Sequence, residues 1–319
     1  MNQNLINESE ESIKKAIIFL EQEKLVALQT ETVYGIACDS SSIFALKNLY
    51  DLKGRPHYNP LIIHVDSIEL ANKIGKINSD ASAVMEKFWP GPLTLILPKR
   101  VNNIVHDFAT SGLDSVAIRY PNSGIMNKIL NRLKRPLAAP SANESGYISA
   151  TDANHVIDSF GSKIDLVIDS GRTKYGLEST ILDMTKKPYE LKRPGVIDYK
   201  LITENTGIKI FFDNQKQPIS NRPNSPGQLV KHYSPITPLF ININKPSNDD
   251  AFLNFGNRIF NHKDSLNLSS TSNLEEAAYN LFYFLRKLDK LKKKRIAVAP
   301  IPDVGIGKTI NERLLRASI

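Results

Sequence analysis

The chain has 319 residues, 41% hydrophobic and 23% charged, with 41 lysines and arginines against 33 acidic side chains for a net charge of +8. This composition excludes wholesale disorder, and the length exceeds what one small core usually holds, so two domains are expected. No apolar run approaches the roughly 18 residues that cross a bilayer, the amino terminus carries Glu8, Glu10 and Glu11 instead of a basic-then-apolar leader, and the single cysteine, Cys38, provides no internal disulfide or zinc framework, all of which points to a cytoplasmic protein.

In chain order, helical periodicity over Glu10 to Leu20 precedes a strand-like run at Leu25 to Leu28. A helix over Ile43 to Leu52 leads to a strand at Leu61 to Val65, and a helix over Ser79 to Phe88 leads to a strand at Leu93 to Leu97. Trp89-Pro90-Gly91-Pro92 must end the second of these helices, because two prolines and a glycine remove donors and deny helical geometry. A strand at Val116 to Ile118, a helix over Gly124 to Leu133, a helix over Asp152 to Phe160 and a strand at Leu166 to Ile168 complete an α/β pattern. Around Gln215 to Pro238 the chain turns to Pro, Asn, Ser and Gln, the texture of a linker. A second α/β pattern follows, with strands at Pro238 to Ile243 and Arg295 to Ala299 and a closing helix over Lys308 to Ala317. Between the strands, Ser272-Asn273-Leu274-Glu275 reads as a capping box opening a helix with Leu274, Ala277, Ala278, Leu281, Leu285 and Leu288 on one face.

Some motifs fail on inspection. Gly305-Ile306-Gly307-Lys308-Thr309 ends like a phosphate-binding loop, but Pro302 stands where its first glycine belongs, and Ile310 breaks the dinucleotide fingerprint. The six histidines are scattered without a zinc spacing, so no protein-held metal is expected. Magnesium carried in by a nucleotide needs few protein ligands. The basic run Lys292 to Arg295 reads as a solvated connection.

Polar clusters interrupt apolar elements at their ends, where α/β proteins build sites. They are Thr30-Glu31-Thr32-Val33-Tyr34-Gly35, Lys53-Gly54-Arg55-Pro56 continuing to Asn59-Pro60 and His64, Ser115 to Arg119, Ser141-Ala142-Asn143 with Ser149, and Glu178-Ser179-Thr180 with Arg193-Pro194-Gly195. Taken singly, each has an ordinary reading: Lys53 and Arg55 close a helix against its dipole, and Ser141-Ala142-Asn143 forms a turn or N-cap.

Together and in this order they resemble the YrdC family of threonylcarbamoyl-AMP synthases. The resemblance is carried by Lys-x-Arg followed by Ser-x-Asn, flanked by Thr-Glu-Thr-Val-Tyr-Gly, Asn-Pro-Leu-Ile-x-His, Phe-Trp-Pro-Gly-Pro-Leu-Thr and Ala-Pro-Ser-Ala-Asn-x-Ser-Gly. It spans about residues 10 to 200 and continues through Ser225-Pro226-Gly227 and His232-Tyr233-Ser234-Pro235 to Asn311-Glu312-Arg313-Leu314, as in the longer two-domain (Sua-type) form. Gln29 replaces a common proline and Ser115 a common threonine.

The resemblance implies an open, twisted α/β catalytic domain of the YrdC type at 1–205, a linker over the active site at 206–235 and a small Rossmann-like α/β domain at 236–319. It implies that L-threonine, bicarbonate or CO2, and ATP give threonylcarbamoyl-AMP and pyrophosphate, the product passing to a separate transferase complex that modifies tRNA. Direct tRNA binding has only the net charge behind it. By resemblance Lys53 and Arg55 are catalytic and hold ATP, with Asn59, Ser115, Ser141, Asn143, Ser149, Arg193, His232 and Tyr233 as further ATP ligands. Thr32, His64, Arg119, Ala139 and Ser179 form the threonine pocket, with Arg119 on the carboxylate. No organic cofactor is implied, and Mg2+ arrives with ATP. The demands of the reaction agree, since a carbamate oxygen attacking the α-phosphorus of a multiply negative ATP needs cations and dipoles to offset repulsion and stabilise the departing pyrophosphate. The rival reading is a non-catalytic module gripping double-stranded RNA. A third is a related nucleotidyltransferase using a different carbamoyl substrate.

Overall fold

The computed structural model describes residues 4–212, 232–257 and 262–318. Most of the expected linker at 206–235, including Ser225, Pro226 and Gly227, lies outside the described residues. Among those described, a first, mixed sheet is built from β1 (Leu5–Asn7), β2 (Val26–Gln29), β3 (Tyr34–Asp39), β4 (Ile62–His64), β5 (Leu93–Pro98), β6 (Ser115–Arg119), β7 (Leu137–Ala138), β8 (Leu166–Asp169), β9 (Thr180–Asp183), β10 (Tyr189–Arg193) and β11 (Ile210–Phe211). Their spatial order is β1-β8-β2-β3-β7-β4-β6-β5-β9-β10-β11. A second sheet, wholly parallel, takes β12 (Leu239–Phe240), β13 (Asp250–Asn254), β14 (Ser265–Asn267) and β15 (Arg295–Val298) in the order β12-β15-β13-β14. The first sheet thus runs past residue 205 to Phe211.

Helices α1 (Glu10–Glu21), α2 (Ile43–Lys53), α3 (Ile68–Ile74), α4 (Ser79–Phe88), α5 (Gly124–Leu133), α6 (Ala153–Phe160) and α7 (Tyr199–Thr206) belong to the first sheet, and α8 (Leu274–Asp289) and α9 (Gly307–Ala317) to the second. Their starts are fixed by side-chain caps that satisfy orphan amides: Ser9 and Ser12 cap α1 reciprocally, Ser42 caps α2 and Asn78 caps α4. The helices read from periodicity form within a residue or two of the expected bounds. At α8 the cap shifts by one residue: Asn273, not Ser272, accepts the Glu276 amide, and Ser272 takes a left-handed φ of 62°. The strand expected over Pro238 to Ile243 narrows to Leu239–Phe240.

Alternation along β2 sorts the core into two layers. Leu25 and Ala27 face the cluster under α2, α3, α4 and α6, whereas Val26 and Leu28 join Ile13, Leu20, Ile125 and Ile129 under α1 and α5. A third cluster joins the two sheets: Val33, Ile148 and Leu177 of the first pack with Phe252, Leu281, Phe282 and Leu285 of the second.

Cations staple this joint. Arg172 lies between the rings of Tyr279 and Tyr283, its guanidinium carbon 4.0 and 3.9 Å from their centroids. Arg286, buried on α8, donates to the carbonyls of Ile148, Ser149 and His155 and to the Ser159 hydroxyl. Removing that guanidinium strands several buried acceptors. Arg286→Met is therefore expected to lower the unfolding free energy by about 3 kcal/mol, measurable by urea denaturation, and a loss under about 0.5 kcal/mol, the range of ordinary surface changes, would refute the staple.

Candidate active site

The site begins at the β2–β3 turn. The Thr30 hydroxyl donates to the Val33 carbonyl at 2.6 Å, accepts the Thr32 and Val33 amides, and lies 2.8 Å from the Thr32 hydroxyl, which sets Thr32 facing inward. Opposite it, β4 and β6 run parallel in a register that places His64 beside Arg119. Arg119 donates to the Thr32 hydroxyl at 2.9 Å and to the Gly91 carbonyl at 3.2 Å, and its Nη2 lies 2.7 Å from a Glu31 carboxylate oxygen without hydrogen-bond alignment. The pair is almost completely buried. Gly91 is required here, because a Cβ would stand 2.3 Å from the Phe88 carbonyl oxygen.

After α2 the chain reverses at Gly54, and Arg55 folds back to donate to the Asn59 and Pro60 carbonyls and the Asn59 side-chain oxygen. Lys53 is buried, its ammonium given to the carbonyls of Ser141 and Asn143. That loop is anchored by a bridge between Gly35 and Ser141 and by the Ala139 amide on the Ile62 carbonyl. On the far wall Arg193 grips the Ser179 carbonyl and hydroxyl, the latter 2.8 Å from Thr94 Oγ1. Glu178 accepts from Ser149 and Arg313.

These walls enclose a cavity lined by Thr30, Thr32, Val33, Gly35, Arg55, Ile62, His64, Arg119, Ala139, Pro140, Ser141, Glu178, Ser179, Arg193 and His232. All of Thr32, His64, Arg119, Ala139 and Ser179 meet there, as do Arg55, Ser141, Arg193 and His232. Lys53, Asn59, Asn143 and Ser149 stand behind the lining and hold it: Asn59 orients Arg55, Ser149 orients Glu178. Ser115 opens β6 opposite Pro98, four residues or about 13 Å of strand from Arg119. Tyr233 is fully buried, its ring stacked on Phe282 with centroids 5.5 Å apart and edge-on to His232. Glu31 and Glu178 stand in the sequence clusters and Arg313 in the Asn311-Glu312-Arg313-Leu314 motif, none with an assigned role. For the two glutamates the signal was a charge among small and apolar residues; Arg313, beside Glu312, carried no such signal.

Burial shapes the electrostatics. It pushes the Lys53 ammonium well below its ordinary pKa, with Arg55 and Arg286 adding to the effect, and brings Arg55 down to about 10 and Arg193 down in the same direction. His232 is held well below its usual value by burial and then by Arg316, Arg193, Arg313 and Arg55. Burial, then Arg119, brings the His64 ring down to about 3, so it is neutral at physiological pH and offers one donor and one acceptor. His155, behind the site, falls to about 3 through burial and Arg286.

The sign for stability follows from linkage. The folded values of His64 and His155 lie below the unfolded value of about 6.5, so between pH 7 and pH 5 the unfolded chain takes up protons that the folded chain refuses. Stability falls as pH falls, by about 2 kcal/mol per histidine over that interval. Urea unfolding at both pH values, with His155→Gln losing about 2 kcal/mol of the difference, checks this, and an unchanged difference in the variant would contradict it.

The family model Sua5_yciO_yrdC, described as "Telomere recombination", matches residues 18–195, and the model described as "Threonylcarbamoyl-AMP synthase, C-terminal domain" matches residues 197–318. The threonylcarbamoyl-AMP synthase of Pyrococcus abyssi is 36% identical over 324 residues, covering 96% of this chain and 94% of the relative. That of Bacillus subtilis is 33% identical over 329 residues, covering 98% and 94%. The crystal structure of P. abyssi Sua5 complexed with L-threonine superposes with a TM-score of 0.88 at 34% identity, covering 98% of this chain and 96% of the other.

Proposed function

This chain belongs to the Sua5–YciO–YrdC family in its two-domain form, and from that membership together with the cavity we infer its reaction. It is a threonylcarbamoyl-AMP synthase, a nucleotidyltransferase that joins threonine, bicarbonate or CO2, and ATP with release of pyrophosphate, and of water where bicarbonate is the carbon source. The observation that carries the reading in this structure is the convergence of Arg55, Arg119 and Arg193 on one cavity that also holds a neutral His64 and the hydroxyls of Thr32 and Ser179. A cavity made only to grip RNA backbone has no use for a buried amino-acid pocket, and the RNA-binding reading is not favoured.

Threonine is assigned to the Arg119 end. Its carboxylate faces the guanidinium, and its hydroxyl has a neutral imidazole and two protein hydroxyls available. Hydrogen bonding to that hydroxyl rejects analogues lacking it, because the protein groups would otherwise be buried unpaired. Serine keeps the hydroxyl, and Ala139 then has one methyl less to pack against, worth about 1 to 3 kcal/mol.

ATP is assigned to the wall of Arg55, Ser141, Arg193 and His232, with Lys53, Asn59, Asn143 and Ser149 holding that wall in place. Ser115 and Tyr233 join the assignment by family resemblance alone. Arg55 and Arg193 supply planar, phosphate-matching cations. Lys53 aims the Ser141–Asn143 loop and adds positive potential behind it. With its carbamate oxygen in line with the α-phosphorus, catalysis is positioning and electrostatic stabilisation of the pyrophosphate, without a covalent enzyme intermediate. Among the described residues no group of three or more His, Cys, Asp and Glu gathers to hold a metal, so the donor set suits Mg2+ held on the ATP phosphates as part of the substrate. No described helix is long and apolar enough to cross a membrane. We place the enzyme in the cytoplasm, with a tRNA-modifying transferase complex receiving its product.

Threonine-dependent pyrophosphate release from ATP in bicarbonate tests the assignment, and its absence would sink it. Arg119→Lys keeps a cation for Glu31 but loses the fork, so threonine binding by calorimetry should weaken by about 2 kcal/mol or more. Unaltered affinity in the folded variant would return Arg119 to a structural ion pair.

A further inference from the structure

The cavity wall contains a carboxylate, Glu178, only 4% exposed. On the reading that this cavity receives ATP, a buried negative charge facing a polyphosphate opposes binding unless a cation neutralises it. Among the described residues, the first domain supplies no cation in contact with it. Ser149 donates a hydrogen bond to Oε1, and Arg193, which faces Glu178, spends its guanidinium on Ser179. Oε2 is instead taken at 3.0 Å by Arg313 of α9, in the second domain.

Arg313 is built into the wall. Its side chain has 0% exposure, Nη1 meets Glu312, and Nη2 donates at 2.8 Å to the carbonyl of Pro194, the neighbour of Arg193. Its guanidinium carbon lies 4.8 Å from the centroid of Tyr233, the residue after cavity-lining His232. One turn before it, Thr309 donates to the Gly195 carbonyl. Gly195 sits so tightly that a Cβ would stand 2.3 Å from the Thr180 amide nitrogen. A displacement of α9 therefore bears on the Glu178–Thr180 backbone that leads into β9.

We propose that Arg313 is a positioning residue for the adenylation reaction: from the second domain it neutralises Glu178 and fixes the Glu178–Ser179 and Arg193–Gly195 wall, so that the ATP half of the site is complete only when that domain is docked. The charged and titratable groups facing Glu178 are Arg313 and Arg193, with Tyr233 alongside and Glu312 beyond Arg313. Burial pushes the Glu178 carboxyl up, but Arg313, Arg193 and the Ser149 hydroxyl outweigh it and hold the group ionised.

A charge-balance role separates from simple domain docking by second-site rescue. In the full-length chain, with folding checked by thermal melting, Arg313→Met should raise KM for ATP by about tenfold or more while KM for threonine changes less than about threefold. Arg313→Lys should recover much of the loss. Adding Glu178→Gln to Arg313→Met should bring KM for ATP back to within about threefold of the unsubstituted enzyme. A double variant no better than Arg313→Met, or a parallel rise in KM for both substrates, overturns the proposal. Should Arg313→Met fail to fold, Glu178→Gln alone decides: a lower KM for ATP supports the proposal, and an unchanged or higher one overturns it. Absence of turnover in the unsubstituted chain would overturn the enzyme reading and this proposal with it, whereas turnover with no rescue overturns this proposal alone.

Discussion

Buried positive charge is the constraint around which this molecule is arranged. Taking a guanidinium or ammonium out of water costs several kcal/mol unless acceptors replace the lost hydration, and here the acceptors are largely backbone carbonyls of the loops between strands and helices. Arg55 is received by the carbonyls of Asn59 and Pro60, Lys53 by Ser141 and Asn143, Arg119 by Gly91, Arg193 by Ser179, Arg313 by Pro194 and Arg286 by Ile148, Ser149 and His155. Carbonyl dipoles satisfy a cation without cancelling its charge. The cavity can thus be cationic toward a polyphosphate and still satisfied on its protein side, and cations held by the protein's own carbonyls are the condition for electrostatic preorganisation.

The same constraint accounts for the irregular loops. Proline and glycine in Trp89-Pro90-Gly91-Pro92 and Arg193-Pro194-Gly195 turn the chain out of regular structure, and the Gly91 and Pro194 carbonyls point at Arg119 and Arg313. Two carboxylates are admitted under strict terms. Glu31 accepts the Asn122 amide and lies against Arg119, and Glu178 is shared between Ser149 and Arg313. Each is held by a contact of its own, so Arg55 and Arg193 make no ion pair with either.

Much of this was legible in the sequence, for identifiable reasons. The amphipathic helices announce themselves through periodicity and caps, and the alternation of helical and strand-like runs marks the α/β class. Residues such as Thr32, His64, Arg119 and Ser179 stand out as polar interruptions at element ends, the family resemblance groups them as one pocket, and the fold brings them to one cavity. What the sequence hid is long-range. Nothing local pairs Glu178 with Arg313, 135 residues away, or tells that Lys53 faces two carbonyls and not the cavity lumen. Strand β3 was obscured because Tyr34 and Gly35 read as part of a polar motif, although Tyr34 to Cys38 are wholly buried. Periodicity places residues on faces; it cannot say which distant loop those faces meet.

The joint between the two sheets shows why these long-range partners matter chemically. Val33 lies inside the Thr-Glu-Thr-Val-Tyr-Gly motif, yet its side chain belongs to the apolar cluster of the second domain, together with Ile148, one residue from Ser149, and Leu177, one residue from Glu178. Each site loop is therefore tied on one side to a polar cavity and on the other to a core that exists only when the domains are packed. Interiors are close-packed and respond to displacement by discrete repacking, not gradual strain, so these loops should hold one geometry when docked and lose it together when not. Because threonylcarbamoyl-AMP is a mixed anhydride open to hydrolysis, a wall held as a unit that keeps out water protects the product while it concentrates the field on the phosphates. Domain packing and active-site construction are, at these residues, the same set of contacts.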